Sequence, residues 1–379
     1  MSIDKQERWE YFEPAVNVVP SSGLEDRLLS EMSEMKGYLS EVSAEGGIPG
    51  AVLLIAREGQ LILHEAFGQR QLVPNMEPMT SDTIFDLASL TKIVATWPAV
   101  FTLIDEGRLE LHQPVKHYLD LPATCPAAEI TIAHLLTHTS GLPTWTYLRQ
   151  YGAQKKAIMS GICSAPLQDE IGKQVLYSDR GFLLLAYIVE VVSGKSLSQH
   201  VYEQIWQPLG MKDTFFNPPR DLRPRIAPTE YRQELNACQR GSVHDENAAW
   251  LGGVAGNAGV FSTSRDLASF CAMIMAGGKS HGRVILSPDA ISSSLCNHTP
   301  GLNQSRGYAW VVSQKKSREQ KKIEIYSHLG FTGTAIWLIP ALDMFVLLLT
   351  NRVHPSRQDS STIQQVRQEI IRRSISASQ

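Results

Sequence analysis

Phe85-Asp-Leu-Ala-Ser89-Leu-Thr-Lys92-Ile-Val-Ala-Thr-Trp-Pro98 reads as a strand-like approach that turns into a helix. Residues three apart on a helix are neighbours, so Ser89 and Lys92 meet on one face without help from distant parts of the chain. A serine near a helix start suits a nucleophile, because free N–H groups and the dipole favour an alkoxide or oxyanion there. The same Ser-x-x-Lys spacing recurs at Ser2/Lys5, Ser33/Lys36 and Ser313/Lys316. Those three fall at the chain start, on an exposed helix and at the opening of a Lys-rich loop, whereas Ser89 has apolar residues on both sides. A serine capping a buried helix beside an ion-paired lysine would use the same residue types, so the chemistry depends on what joins them.

Outward from this stretch, Leu24, Leu28, Met32, Met35, Leu39 and Val42 recur at helical spacing and predict an amphipathic helix from Leu24 to Ser43. Ala51–Arg57 and Gln60–Phe67 are apolar runs around Glu58-Gly59, a hairpin signal. From Asp86 to about Pro288 the pattern turns mostly helical, with segments at Ile132–Leu136, Arg180–Val192, Ser196–Leu209 and Arg265–Met275. Strand patterns return at Tyr308–Ser313, Ile323–His328, Ala335–Ile339 and Met344–Thr350, with Lys315–Lys322 as a solvated hairpin loop. Ser361–Ile375 closes the chain as a helix. The expected fold class is α+β: an antiparallel sheet flanked by N- and C-terminal helices, built from residues 1–85 and 289–379. A mostly helical domain, 86–288, is inserted, and the cleft between the two parts is the expected ligand site.

The 379 residues are 43% hydrophobic and 19% charged, with a net charge of −3, ordinary for a globular protein. No basic stripe interleaved with aromatics is present, which argues against a nucleic-acid partner. The five cysteines are odd in number and never spaced Cys-x-x-Cys, so buried thiols are expected, not a disulfide framework or a zinc site. The charged start lacks a secretory apolar core, and Ala335–Thr350 is interrupted by Pro340 and Asp343 and too short for a membrane span. A cytoplasmic protein without a membrane span is the expectation. His134, His138, His244 and Asp245 do not form a helical His-x-x-x-His pair with an acidic partner in register; His134 and His138 read as structural, and no metal or cofactor is expected.

A serine nucleophile needs a proton relay and an oxyanion hole. Tyr177-Ser-Asp179 precedes a predicted buried helix, although Tyr118-Leu-Asp120 matches the same pattern. His328-Leu-Gly330 lies on a predicted strand edge, where backbone N–H groups can face a substrate carbonyl. A rival nucleophile elbow, Gly278-Lys-Ser280-His-Gly282, lacks the strand-to-helix context that such an elbow needs.

Ser89-Leu-Thr-Lys92, Tyr177-Ser-Asp179 and His328-Leu-Gly330 follow one another in the order of the penicillin-recognising serine hydrolases. The chain resembles the branch holding class C β-lactamases, serine D-alanyl-D-alanine carboxypeptidases and esterases of the same fold. Leu135–Pro143 and Leu251–Ser262 add to the resemblance, which runs from about Ile48 to Asn351. It implies that Ser89 is acylated, that Lys92 and Tyr177 share the proton work, and that the N–H groups of Ser89 and Phe331 hold the oxyanion. His328 would stand where relatives carry Lys or His, with Gly330 completing the tripeptide. Two departures bear on substrate. Asp179 replaces the usual Asn, turning a donor amide into an acceptor-only group when ionised. Leu329 and Phe331 stand where carboxylate-binding relatives often carry hydroxyls. These departures lower the expectation of efficient β-lactam turnover and favour ester or amide hydrolysis of a small-molecule or short-peptide acyl substrate. The competing expectation is a non-catalytic binding or sensor module on the same fold.

Overall fold

The computed structural model describes residues 3–14, 25–122, 124–233, 236–316, 320–358 and 360–377. Leu24, Ser2 and part of the Lys315–Lys322 loop lie outside the described residues.

Seven antiparallel strands form the central sheet: β1 (Gly50–Arg57), β2 (Gln60–Gln71), β3 (Glu77–Pro78), β4 (Val311–Lys316), β5 (Lys322–Leu329), β6 (Ala335–Ile339) and β7 (Met344–Thr350). Their order is β4-β5-β6-β7-β1-β2-β3, so the two ends of the chain meet where β1 pairs with β7, Ala51 opposite Thr350. The apolar runs that predicted these strands do not alternate with polar residues because both sheet faces are covered. Along β1, Val52, Leu54 and Ala56 point into one core while Ala51, Leu53 and Ile55 point into the other. In β7, Phe345, Leu347 and Leu349 take the first side and Met344, Val346 and Leu348 the second.

The second core is closed by α2 (Glu25–Ala44) and α6 (Ser361–Ala377), whose Leu28, Met32, Met35, Leu39, Ile363, Val366 and Ile370 cover the sheet. The first core is shared with the long middle segment, including α3 (Trp97–Asp105), α4 (Asp179–Ser193) and α5 (Ser264–Met275). An additional helix, α1 (Ile3–Glu10), is tied to the sheet by Trp9, whose indole donates to Asp343 Oδ1 at 2.7 Å.

The structure departs from the sequence expectations in two places. Helix α5, expected within the inserted 86–288 segment, packs on the sheet against β1 and β7, because its apolar face meets the inner side chains of those strands. Four cysteines are buried thiols as expected, but Cys296 is exposed. Ser280 lies in a two-residue strand, Lys279–Ser280, paired antiparallel with Arg283–Val284, so the rival elbow is a small hairpin. Among the described residues, no single helix is long and apolar enough to cross a membrane.

Candidate active site

The Ser89 stretch is not one regular helix. Phe85–Asp86 pairs with Phe261–Ser262, Ala88–Leu90 forms a 3-10 turn, Lys92–Thr96 a π turn, and only then does α3 begin. Pro98 explains the widened turn: it has no N–H to give the Val94 carbonyl. That carbonyl instead accepts from the Trp206 indole at 3.1 Å. Ala88, next to Ser89, has φ +47, a left-handed conformation costly for a residue with a Cβ and common at functional sites. It is held there by Asp86, whose carboxylate accepts from the Ala88 and His244 amides at 2.9 and 2.7 Å. Complete burial pushes Asp86 up to about 6 against the pull of these donors.

Lys92 is the electrostatic centre. Its side chain is fully buried, and Nζ donates to Ser89 Oγ at 3.2 Å, Asp179 Oδ1 at 2.7 Å and the Asn257 carbonyl at 3.0 Å. An ammonium has three donors, so all are used. Burial alone would lower its pKa; Asp179 and Tyr177 outweigh burial and hold it above the ordinary lysine value, so it remains an ammonium at neutral pH. The expected local meeting of Ser89 and Lys92 is present, with Asp179 as third member, brought 87 positions along the chain by α4. Asp179 is therefore tied to Lys92.

Tyr177 sits in the loop before α4. Ser178 Oγ donates to the Pro143 carbonyl at 2.8 Å, and the Ser178 amide donates to His138 Nδ1 at 3.1 Å. His138 thus holds the loop, as a structural histidine, with its ring 4.5 Å from that of Tyr177. His134 caps its own short helix through Thr131.

Across the cleft, β5 ends at His328-Leu329 and the chain turns at Gly330. A Cβ at Gly330 would lie 2.5 Å from the Leu87 carbonyl, so only glycine lets this strand end approach the Ser89 turn. Thr332 and Thr334 fasten the approach by donating to the Asp86 and Leu87 carbonyls at 2.7 and 3.0 Å. His328 is buried behind Tyr177, ring to ring 6.2 Å, and does not line the cleft. Burial, then the charges of Lys92 and Arg306, push it well below the ordinary histidine range, so it is neutral.

Leu329 corrects an expectation. Successive side chains in a strand face opposite ways, and with His328 turned inward Leu329, 44% exposed, faces a separate groove beside Ser327, Trp337 and Arg367. It is not at the cleft. Phe331, 50% exposed, is: its ring stacks on His244 at 5.8 Å with the Arg352 guanidinium 4.4 Å from its centroid.

The cleft has a volume of about 510 Å³, within the usual ligand range, and is lined by Ser89, Tyr177, Asp179, Asn257 and Phe331. Trp145, Tyr147, Asp245 and Arg357 also line it, and no sequence motif singled out the aromatic pair or Arg357. A larger groove of about 840 Å³ between α1 and the β5 side of the sheet holds none of these motif residues.

The fold is the β-lactamase and penicillin-binding-protein fold. Residues 31–369 match the β-lactamase family model, and the chain belongs to that family. An N-acetylmuramyl-L-alanine amidase of Bacillus subtilis is 30% identical over 346 residues, covering 81% of this chain and 78% of the relative. Among solved structures, an octameric penicillin-binding protein homologue from Pyrococcus abyssi superposes with a TM-score of 0.70 at 22% identity, covering 90% of this chain and 77% of that one. EstCE1, a hydrolase with promiscuous acyltransferase activity, gives 0.71 at 21% identity, covering 93% and 99%.

Proposed function

We propose that the chain is a serine acyl hydrolase that works through a covalent acyl-enzyme on Ser89, acting on esters or amides of small molecules or short peptides in preference to β-lactams. The observation that carries this reading is the buried ammonium of Lys92, held between Ser89 Oγ and Asp179 at the base of an open cleft. An ammonium donating to the serine oxygen stabilises developing alkoxide charge but cannot itself accept the serine proton. Tyr177, which lines the same cleft, takes that role.

In the proposed cycle the Tyr177 oxygen accepts the Ser89 proton as Oγ bonds to the substrate carbonyl carbon. The oxyanion lies against the backbone N–H groups of Ser89 and Phe331. Tyr177 then returns the proton to the leaving oxygen or nitrogen as its bond to the carbonyl carbon breaks. Water enters, gives its proton to the same oxygen, and the acid is released as the proton returns to Ser89.

Substrate preference rests on what surrounds Ser89. Asp179 is committed to Lys92, His328 is neutral and buried, and Phe331 presents an apolar face. The cation that does line the cleft, Arg357, is paired with Glu230 and Glu246, which weakens its call on a substrate carboxylate, whereas a neutral acyl group finds the Phe331 ring. The amidase name of the Bacillus subtilis relative keeps amides within the substrate class.

The test is rate comparison on p-nitrophenyl butyrate, a chromogenic cephalosporin and a D-amino-acid amide, with fluorophosphonate labelling of wild type and Ser89→Ala. Ester or amide turnover ahead of the cephalosporin, with label on Ser89 alone, is expected. Absence of both labelling and turnover would mean a binding module in place of an enzyme.

A further inference from the structure

Helices α2 and α6 do not cover the whole of the sheet face on which they pack. On that face Lys315 of β4 lies opposite Ile323 of β5, and Ser327 of β5 lies opposite Trp337 of β6, with Leu329 two positions further on. Ile323, Ile325 and Trp337 join the second core, whereas Lys315 and Leu329 stay exposed. Between these strand ends and α6 runs a groove of about 250 Å³ that also takes in Gln364, Arg367 and Gln368. It shares no lining residue with the Ser89 cleft.

Arg367 is the unusual member. Its Nη2 donates to the Gly330 and Thr334 carbonyls at 2.7 and 2.8 Å, its Nε is buried without an acceptor, and among the described residues no carboxylate pairs with it. A half-buried guanidinium without a counter-charge is costly, and its planar fork of donors fits a carboxylate. Burial, then the charge of Arg352, bring Arg367 down to about 10, with no acidic group opposing them. Lys315, at the mouth of the groove, likewise has no ion pair among the described residues. No Asp or Glu lines the groove, so its two cations stand without a negative charge, while Ser327, Gln364 and Gln368 add neutral donors.

We propose that this groove binds a small organic carboxylate with an apolar body, its head group on Arg367 with Lys315 beside it and its body against Leu329 and Trp337. Charge complementarity selects the anion. The apolar half of the groove selects a hydrocarbon or aromatic acid over inorganic phosphate. Leu329, 44% exposed and turned away from the cleft, is surface that such a body covers. The volume lies just below the usual range for drug-sized ligands, which limits the occupant to a small acid. The site does not rest on the acyl-transfer reading, although the acids that ester hydrolysis releases belong to this class.

The experiment is calorimetric titration of the full chain with sodium hexanoate, with 1-hexanol and inorganic phosphate as comparison probes. One saturable hexanoate site is expected, with both comparison probes weaker by roughly tenfold or more, the usual effect of removing a hydrogen bond to a charged group. Arg367→Gln should weaken hexanoate by a similar factor. Leu329→Glu sets a carboxylate in the groove and should abolish binding, whereas Phe331→Glu sets one at the cleft and should leave the affinity within about twofold of wild type. The Leu329→Glu and Phe331→Glu pair decides the matter even if Arg367→Gln, which also loses the bonds to the Gly330 turn, does not fold. Absence of saturable binding overturns the proposal, as does hexanol or phosphate binding as tightly as hexanoate. Loss in Phe331→Glu with retention in Leu329→Glu would put the acid in the cleft and overturns it as well. No arm reads turnover, so a chain that binds hexanoate in the groove but hydrolyses no ester would support the site and reject only the acyl-transfer reading.

Discussion

The wall of the cleft that carries Ser89, Lys92 and Asp179 is ion-paired, with Lys92 buried behind the half-buried Ser89 and Asp179 and each donor of its ammonium used. The facing wall, at the end of β5, offers a neutral histidine turned inward and an exposed phenylalanine. On the proposed reading the first wall carries the proton chemistry and the second shapes the choice of substrate. Chemistry and selectivity are therefore separable by mutation, and the sizes of the effects should differ accordingly. The largest is expected from Ser89→Ala, which should lower p-nitrophenyl butyrate turnover by roughly a thousandfold or more, as for loss of a covalent nucleophile. Steady-state rates near wild type would place the nucleophile elsewhere. Tyr177→Phe comes next, with a loss of roughly a hundredfold or more, the range for general acid–base groups. A variant that keeps its rate removes Tyr177 from the relay.

Asp179→Asn probes the joint between the two walls, because it leaves Lys92 buried without its carboxylate. Removing one member of a buried pair is costly, and with Asp179 20% exposed the expected loss is about 2 kcal/mol, read by denaturant unfolding. The pH dependence has a definite sign. Lys92 is raised above its ordinary 10.5 in the fold, so its contribution to stability is present below that pH and is lost as pH rises through the folded value. Wild type should lose stability in that alkaline window, and Asp179→Asn should not. The amide also becomes available to a substrate carbonyl, so acylation by β-lactams should rise severalfold. An unchanged acylation rate would show that Asp179 is not what limits them.

The Ser89 and Lys92 pairing was legible because it depends on a three-residue spacing, and the sheet because strands covered on both faces leave uninterrupted apolar runs such as Val52–Ala56 and Phe345–Leu349. Features set by distant partners were not. The π turn at Lys92–Thr96 is completed by Trp206, 112 positions along the chain, and nothing local announces that the Val94 carbonyl will be met there. Asp179 was visible as a departure from the family pattern, but its use as the Lys92 counter-ion required α4 to be placed. Arg306, His138 and the Trp145–Tyr147 pair carry no short motif; they matter only through what they face.

The smallest effects belong to the strand wall, and they distinguish its two apolar residues. Phe331 lines the cleft and stacks on His244, so Phe331→Ala should raise KM for long acyl chains severalfold while leaving kcat on a short ester nearly unchanged, since its proposed oxyanion contact is through the backbone. Leu329 precedes it by two positions yet points the other way. With His328 turned inward, Leu329, the last strand residue, faces the groove beside Trp337 and Arg367, and the turn at Gly330 brings Phe331 to the cleft instead, so a hydroxyl introduced by Leu329→Thr does not reach a bound substrate. Leu329→Thr should therefore leave kcat/KM within about twofold of wild type for neutral and carboxylate-bearing substrates alike, as for surface changes in general. A selective gain on carboxylate substrates would mean that the end of β5 rotates when the cleft is filled, bringing Leu329 to the cleft beside Phe331.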